Sequence, residues 1–204
     1  MSKQKIYDRI ARLYDLLDLP FEHVRYRPIR QILFEGLRGE LLDAGVGTGR
    51  NFLYYPTSAT VTGIDLSPAM LARARARKKR LGSKIDLYEM NVLELDFADN
   101  RFDSIVSTFL FCVLDAEHQQ PALAELRRVC RPDGEIHILE YAISETPWRR
   151  FVMKLWAPWV RFAYGAAFDR NTEQYLDAAG LELIERKFLY KDIIKRLTVR
   201  PKAV

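Results

Sequence analysis

Apolar residues gather in short, nearly unbroken runs at positions 41–44, 60–66, 85–90, 105–109 and 136–141, rich in Val, Ile, Leu and Phe. A strand with one wet face alternates apolar and polar side chains, whereas a parallel strand covered on both faces reads as a continuous run. Between these runs the spacing turns helical, over 68–80 and 119–131. The alternation predicts a doubly wound α/β sheet with right-handed crossovers. Two later runs, 181–190 and 193–199, read as closing strands of an antiparallel hairpin. Ser67 is placed as an N-cap before Pro68, whose missing N–H is not needed there, and Gly82 ends the same helix. Arg131-Pro132-Asp133-Gly134 predicts a turn that stops the next helix and starts a strand near Glu135.

Two stretches fall outside this core pattern. Residues 1–38 read as an amphipathic helical cover, with Ile6, Ile10, Leu13, Leu16 and Leu17 at helical spacing. Residues 145–180 read as a helical segment holding all three tryptophans, with Pro158 expected to kink or break it. No repeat or linker divides the chain, so 1–204 is read as one domain.

Composition narrows the setting. A chain of 204 residues, 49% hydrophobic, can bury a core and is not a disordered segment. No run approaches the ~18 apolar residues of a membrane span, and the first residues lack the apolar stretch of a signal peptide, so a cytoplasmic protein is expected. Cys112 and Cys130 belong to no CxxC pair and read as buried thiols. His23, His118 and His137 are scattered, so no metal site is expected. The net charge of +5 favours contact with an anionic surface. The basic run from Arg73 to Arg80 reads as a solvated face, and with no RNA-binding module beside it no nucleic-acid partner is expected.

The first apolar run ends in Asp43-Ala44-Gly45-Val46-Gly47-Thr48-Gly49. Glycines at these positions let the backbone turn tightly and approach a ligand. A dinucleotide fingerprint would place its third glycine one residue later, where this chain has Arg50. Asp65, about twenty residues beyond Gly45, closes the second run and suits a carboxylate that accepts ribose hydroxyls.

These features, with Gly63 to Leu71, Asn91 to Phe97 and Leu126 to Gly134 in the same order, resemble the class I S-adenosylmethionine-dependent methyltransferases over roughly residues 7–190. The resemblance implies a Rossmann-like, seven-stranded sheet, mostly parallel with an antiparallel closing strand, and S-adenosylmethionine as cofactor. It sets Asp43 near the methionine amino group with Gly45 and Gly47 beneath, Asp65 on the ribose, and Leu66 and Met70 beside the adenine. Asn91 stands where the family commonly has an acid; its amide can bond an adenine edge, and Val92 would add a backbone contact. Thr48 and Thr108 complete the expected cofactor set.

Methyl transfer from a sulfonium needs an acceptor aligned with the departing sulfur and kept unprotonated. Candidates therefore come from the ends of the fourth and fifth strands and the flanking segments. Phe111 and Tyr141 are candidate acceptor contacts, together with Trp148 and Trp156. Glu140, an acid ending an apolar strand, is a candidate catalytic, substrate-binding or structural hydrogen-bonding group. Tyr7 and Tyr14, one heptad apart in repeated Tyr-Asp pairs, share a helix face. In the resembling enzymes such a segment often covers the cofactor, and a phenol there could orient an acceptor. In 148–168, Arg149, Arg150, Lys154 and Arg161 interleave with the tryptophans and no acid appears, which suits a substrate lid, a peripheral contact with an anionic membrane, or a helix packed on the sheet.

Within the family, Gly49 to Pro56, the Cys112 region and Trp148 to Thr172 resemble bacterial phospholipid N-methyltransferases and microsomal thiol methyltransferases. The opening Tyr-Asp segment resembles quinone C-methyltransferases. The leading expectation is methylation of an amphiphilic acceptor, foremost phosphatidylethanolamine. A small thiol, a polyprenyl quinol, and a non-catalytic cofactor-binding module are the alternatives, and the oligomeric state is open.

Overall fold

The computed structural model describes residues 26–203, the side chains of 162–164 excepted. Tyr7, Tyr14 and most of the expected N-terminal cover lie outside the described residues. In chain order the elements are helix α1 (Arg27–Phe34), strands β1 (Gly39–Ala44) and β2 (Ala59–Asp65), helix α2 (Pro68–Leu81), strands β3 (Ile85–Glu89) and β4 (Phe102–Thr108), helix α3 (Ala116–Val129), strand β5 (Cys130–Tyr141), helix α4 (Pro147–Tyr164), and strands β6 (Leu181–Tyr190) and β7 (Ile194–Pro201).

The strands form one seven-stranded sheet in the order β3-β2-β1-β4-β5-β7-β6. β1 to β5 pair in parallel, while β7 runs antiparallel to both β5 and β6. Each central strand sends successive side chains to opposite faces. Leu42, Ile64, Ile105 and Ile138 pack with Leu123 and Leu126 of α3. Leu41, Val61, Val106 and Leu139 pack with Leu33 and Phe34 of α1 and Leu71 of α2. Burial on both faces is why these strands carry no polar alternation.

Local signals explain the element ends. Ser67 Oγ accepts the Met70 N–H at 3.2 Å, capping α2, and Gly82 closes it in a left-handed conformation. The Arg131–Gly134 motif departs from expectation: α3 gives way directly to β5 at Cys130, and 131–134 are absorbed as a register shift against β4. A Cβ on Gly134 would stand 2.8 Å from the Asp103 carbonyl oxygen, so the close strand approach requires glycine. Pro158 does not end α4, which continues to a left-handed Gly165. A proline forfeits one backbone donor, and a helix on the protein surface can absorb that loss. The 145–180 segment is thus helical to Tyr164 and afterwards holds only a short 3₁₀ turn at Thr172–Tyr175.

Candidate functional site

The sheet order reverses between β1 and β4, and in open α/β sheets ligands settle outside the strand ends at such a point. β1 delivers Asp43 and Ala44 there, and the chain then turns through Gly45, Gly47 and Gly49 at φ of 83°, 54° and 79°. At Gly47 a Cβ would meet nothing, so its left-handed backbone, rather than crowding, calls for glycine. The Gly47 N–H donates to Asp65 Oδ2 at 2.8 Å and the Ser67 N–H to Asp65 Oδ1 at 2.9 Å. Asp65 therefore ties the glycine turn to the start of α2 and faces the cavity with a fixed carboxylate.

Asp43 is fully buried. Its Oδ2 accepts from Asn51 Nδ2 at 2.7 Å and from the Tyr55 hydroxyl at 2.5 Å, while Oδ1 has no hydrogen-bond partner among the described residues. Arg30 Nη1 donates to Asn51 Oδ1 at 2.5 Å, placing a cation one residue away. Burial pushes the Asp43 pKa up to about 6, against the lowering effects of Tyr55, Asn51 and Arg30. The structure places Asp43 behind a cavity wall to which Arg30 and Asn51 contribute.

That wall encloses a cavity of about 1170 Å³. On the β1–β3 side it is lined by Gly45, Gly47, Thr48, Asp65, Leu66, Met70, Asn91 and Val92, and Thr108 ends β4 beside them, so every expected cofactor residue except Asp43 meets the same space. Asn91 Oδ1 accepts the Leu93 N–H at 3.1 Å and so shapes its own turn. On the β4–β5 side, Phe109 takes a left-handed φ of 56°, which for an aromatic residue stores ~1–3 kcal/mol of backbone strain. Its ring stacks on Tyr141 at 4.7 Å and meets Tyr26 edge-on at 5.4 Å. The Tyr26 and Tyr141 hydroxyls share a 2.6 Å hydrogen bond. α4 borders this half with Trp148, Arg149, Val152, Met153, Trp156, Trp159 and Val160.

Two expected acceptor residues lie off the cavity, and of the readings given to Glu140 the structural hydrogen-bonding one matches its contacts. Phe111 is fully buried among the α3-side core residues and does not line the cavity; Phe109, turned by its left-handed backbone, takes that position. Glu140 also lies off the cavity. Neighbours on a strand point to opposite faces, so with Tyr141 toward the cavity Glu140 must point away, where it meets Thr172 and Lys195. Tyr141, Trp148 and Trp156 do line the cavity. Sequence reasoning missed Tyr26, Arg30, Asn51 and Tyr55; only Asn51 and Tyr55 carried a signal, as polar groups in the conspicuous 49–56 block.

α4 also leaves much apolar surface exposed: Trp148 is 71% exposed and Leu155 68%, with Phe151, Trp156 and Trp159 exposed too, and Arg150, Lys154 and Arg161 lie on the adjoining stripe. Among the described residues no helix is long and apolar enough to cross a membrane, and no group of three or more His, Cys, Asp or Glu could hold a metal.

A methyltransferase-domain family model matches residues 41–134, the span from β1 to the β4–β5 register shift. The phosphatidylethanolamine N-methyltransferase of Cereibacter sphaeroides is 36% identical over 66% of this chain and 68% of its own length. The ubiquinone/menaquinone biosynthesis C-methyltransferase of Citrifermentans bemidjiense is 31% identical over 89% of this chain and 81% of its own. In fold, the Burkholderia thailandensis 1,6-didemethyltoxoflavin-N1-methyltransferase, solved with S-adenosylhomocysteine, superposes with a TM-score of 0.70 at 20% identity, covering 98% of this chain and 88% of that one. Glycine turn, ribose-spaced acid, switch-point cavity and these relatives converge: the chain belongs to the class I S-adenosylmethionine-dependent methyltransferases, enzymes that draw their methyl group from that cofactor.

Proposed function

We propose that this enzyme methylates an amphiphilic acceptor, with the amino headgroup of phosphatidylethanolamine as its principal substrate. The observation that carries the reading is the single large cavity that begins at the glycine turn and ends under the tryptophans of α4. A pocket for one small ligand occupies ~300–1,000 Å³, so this one has room for an acceptor beside the donor. Apart from Arg149, which pairs with Asp192, the α4 lining is apolar, which suits an acyl chain better than a small polar metabolite.

The donor half fits the cofactor on its own chemistry. The space over Gly47 is open to a close backbone approach, and Asp43, with an Oδ1 lacking a partner among the described residues, lies behind the wall where its charge favours a cationic amino group on the cavity side. In this reading Asp65 holds the ribose hydroxyls, Leu66, Met70, Asn91 and Val92 surround the adenine, and Thr48, Thr108 and Asn51 border the methionine portion. The bound cofactor supplies an electrophilic methyl group. The protein's share is to align the acceptor and exclude water, with the Tyr26–Tyr141 hydroxyl pair as a polar group on the aromatic acceptor wall. Tyr7 and Tyr14 are proposed as cover and orienting groups from the N-terminal segment. The exposed indoles and cations of α4 support a peripheral contact with an anionic membrane.

A polyprenyl quinol is the second reading, favoured by the identity to the quinone C-methyltransferase over most of both chains. Labelled-methyl transfer into a total lipid extract, followed by identification of the product, tests the choice. Label in the methylated ethanolamine lipids is expected; label confined to quinones or to water-soluble thiols overturns the leading reading.

A further inference from the structure

Behind the acceptor wall lies a buried polar chain. Gln119 of α3 donates through Nε2 to the Phe111 carbonyl at 2.7 Å and to the Leu114 carbonyl at 3.1 Å. Those two donations fix the amide's orientation, because a flipped amide would set its oxygen against two carbonyl oxygens. Its Oε1 therefore faces Thr172 Oγ1, 3.1 Å away. On its other side the same hydroxyl lies 2.6 Å from Glu140 Oε2. A threonine hydroxyl has one proton and here touches two acceptor oxygens. With Glu140 ionised, one of the two contacts would hold no hydrogen.

A neutral Glu140 removes the conflict. The carboxylic acid donates to Thr172, Thr172 donates to Gln119, and Gln119 donates to the two loop carbonyls. The surrounding charges agree. Lys195 Nζ is 3.2 Å from Glu140 Oε1 but only 2.5 Å from Glu173 Oε1, so Glu173 balances its charge. Arg186, 3.4 Å from Glu173, is half exposed, and its charge is solvated. Burial, the largest influence on Glu140, raises its pKa above the ordinary carboxylate value.

We propose that Glu140 is a positioning residue that carries a proton in the folded enzyme and, through Thr172 and Gln119, holds the Phe111–Leu114 turn, whose Cys112, Val113 and Leu114 line the acceptor cavity. Its bearing on the acceptor rests on the reading of that cavity given above, whereas the proton and the coupling to the turn do not.

The test compares four variants of the full chain by infrared spectroscopy and by amide hydrogen exchange of residues 109–114. At neutral pH the wild type should show a neutral carboxylic-acid stretch that disappears in Glu140→Gln. Glu140→Gln keeps a donor to Thr172 and should leave exchange of the turn at the wild-type rate. Thr172→Val and Gln119→Leu each break the chain and should speed that exchange about 5- to 10-fold, the consequence of one lost buried hydrogen bond. Thr172→Ser should restore it. With phosphatidylethanolamine vesicles, Thr172→Val should raise the acceptor KM while the S-adenosylmethionine Kd stays unchanged. Absence of the stretch, or a Glu140→Gln turn as loose as that of Thr172→Val, overturns the protonated state, and an unaltered turn in Thr172→Val overturns the coupling. If the exchange results hold and only the vesicle KM is unmoved, the substrate reading fails and the positioning network stands.

Discussion

The two halves of the cavity are built by opposite means. On the β1–β3 side, backbone conformation does the shaping: left-handed glycines, a carboxylate held by two main-chain N–H groups, and a second carboxylate under Asn51 and Tyr55. On the β4–β5 side, large rings do it: Phe109 on Tyr141, Tyr26 across them, and the tryptophans of α4 above. A wall of main-chain groups suits a ligand with fixed polar edges. A wall of rings offers area and little directional bonding, which suits a ligand that is mostly chain. The donor half should accordingly fail on loss of single polar groups, and the acceptor half should degrade gradually.

The largest expected effect breaks the donor half alone. Asp65→Ala should weaken S-adenosylmethionine binding by ~100-fold or more, since charge-assisted hydrogen bonds are worth ~1.5–3 kcal/mol each. Calorimetric titration measures it, and an unchanged Kd would remove Asp65 from the site.

Next comes the outer face of α4. Reversing Arg150, Lys154 and Arg161 together to glutamate should reduce cosedimentation with anionic vesicles by ~100-fold in partition coefficient, at ~1 kcal/mol for each basic residue near the surface. Binding to neutral vesicles and to the cofactor should be unaffected. Equal losses on both vesicle types would show that charge is not the attraction.

Asp43 ties stability to function. Its folded pKa of about 6 lies above the ordinary 3.8, so the folded state holds its proton more tightly than the unfolded chain. The corresponding stability is fully present below about pH 4 and is lost as the pH rises through about 6. Asp43→Asn, which keeps an acceptor for Asn51 and Tyr55, should raise the stability of the cofactor-free protein by ~1–3 kcal/mol at pH 7.5. A cationic ligand favours the ionised acid, so S-adenosylmethionine affinity should climb as the pH rises through about 6 and then level off. The substitution should abolish that pH dependence; its persistence in Asp43→Asn would assign it to another group.

The smallest effect belongs to the ring-built half. Trp148→Ala and Trp156→Ala should each lower kcat/KM for a vesicular acceptor several-fold, about 1 kcal/mol, because exposed indoles lose only part of their burial. Cofactor affinity should be unchanged. A hundredfold loss from either tryptophan would mean that this wall, too, works through a single specific contact.

The same contrast governs what could be read from the sequence. The glycine turn and the acid beside it were legible because local backbone rules write them directly: glycines where φ must be positive, an acid at the end of the second strand, a serine cap before a proline. Asp43 lies behind the lining rather than on it, because Asn51 and Tyr55 reach back to cover it, which nothing in the sequence shows. The acceptor half depends on which way each ring points. Phe109 and Phe111 are alike in sequence, and only the left-handed turn at Phe109 sends one to the cavity and the other to the core. Glu140 and Tyr141 illustrate a rule that was available: strand neighbours face opposite ways, so the pair could not both meet the acceptor. Pro158 shows the reverse case, in which the helix-breaking signal is overridden by the helix around it.

The lipid acceptor is tested most directly by transfer of a labelled methyl group from S-adenosylmethionine to phosphatidylethanolamine in mixed anionic vesicles, run beside soluble phosphoethanolamine, a small thiol and a polyprenyl quinol. Efficient labelling of the vesicular lipid, with little on the soluble headgroup, is the predicted result. Equal or better transfer to phosphoethanolamine or the thiol would contradict an acceptor half built for a lipid chain.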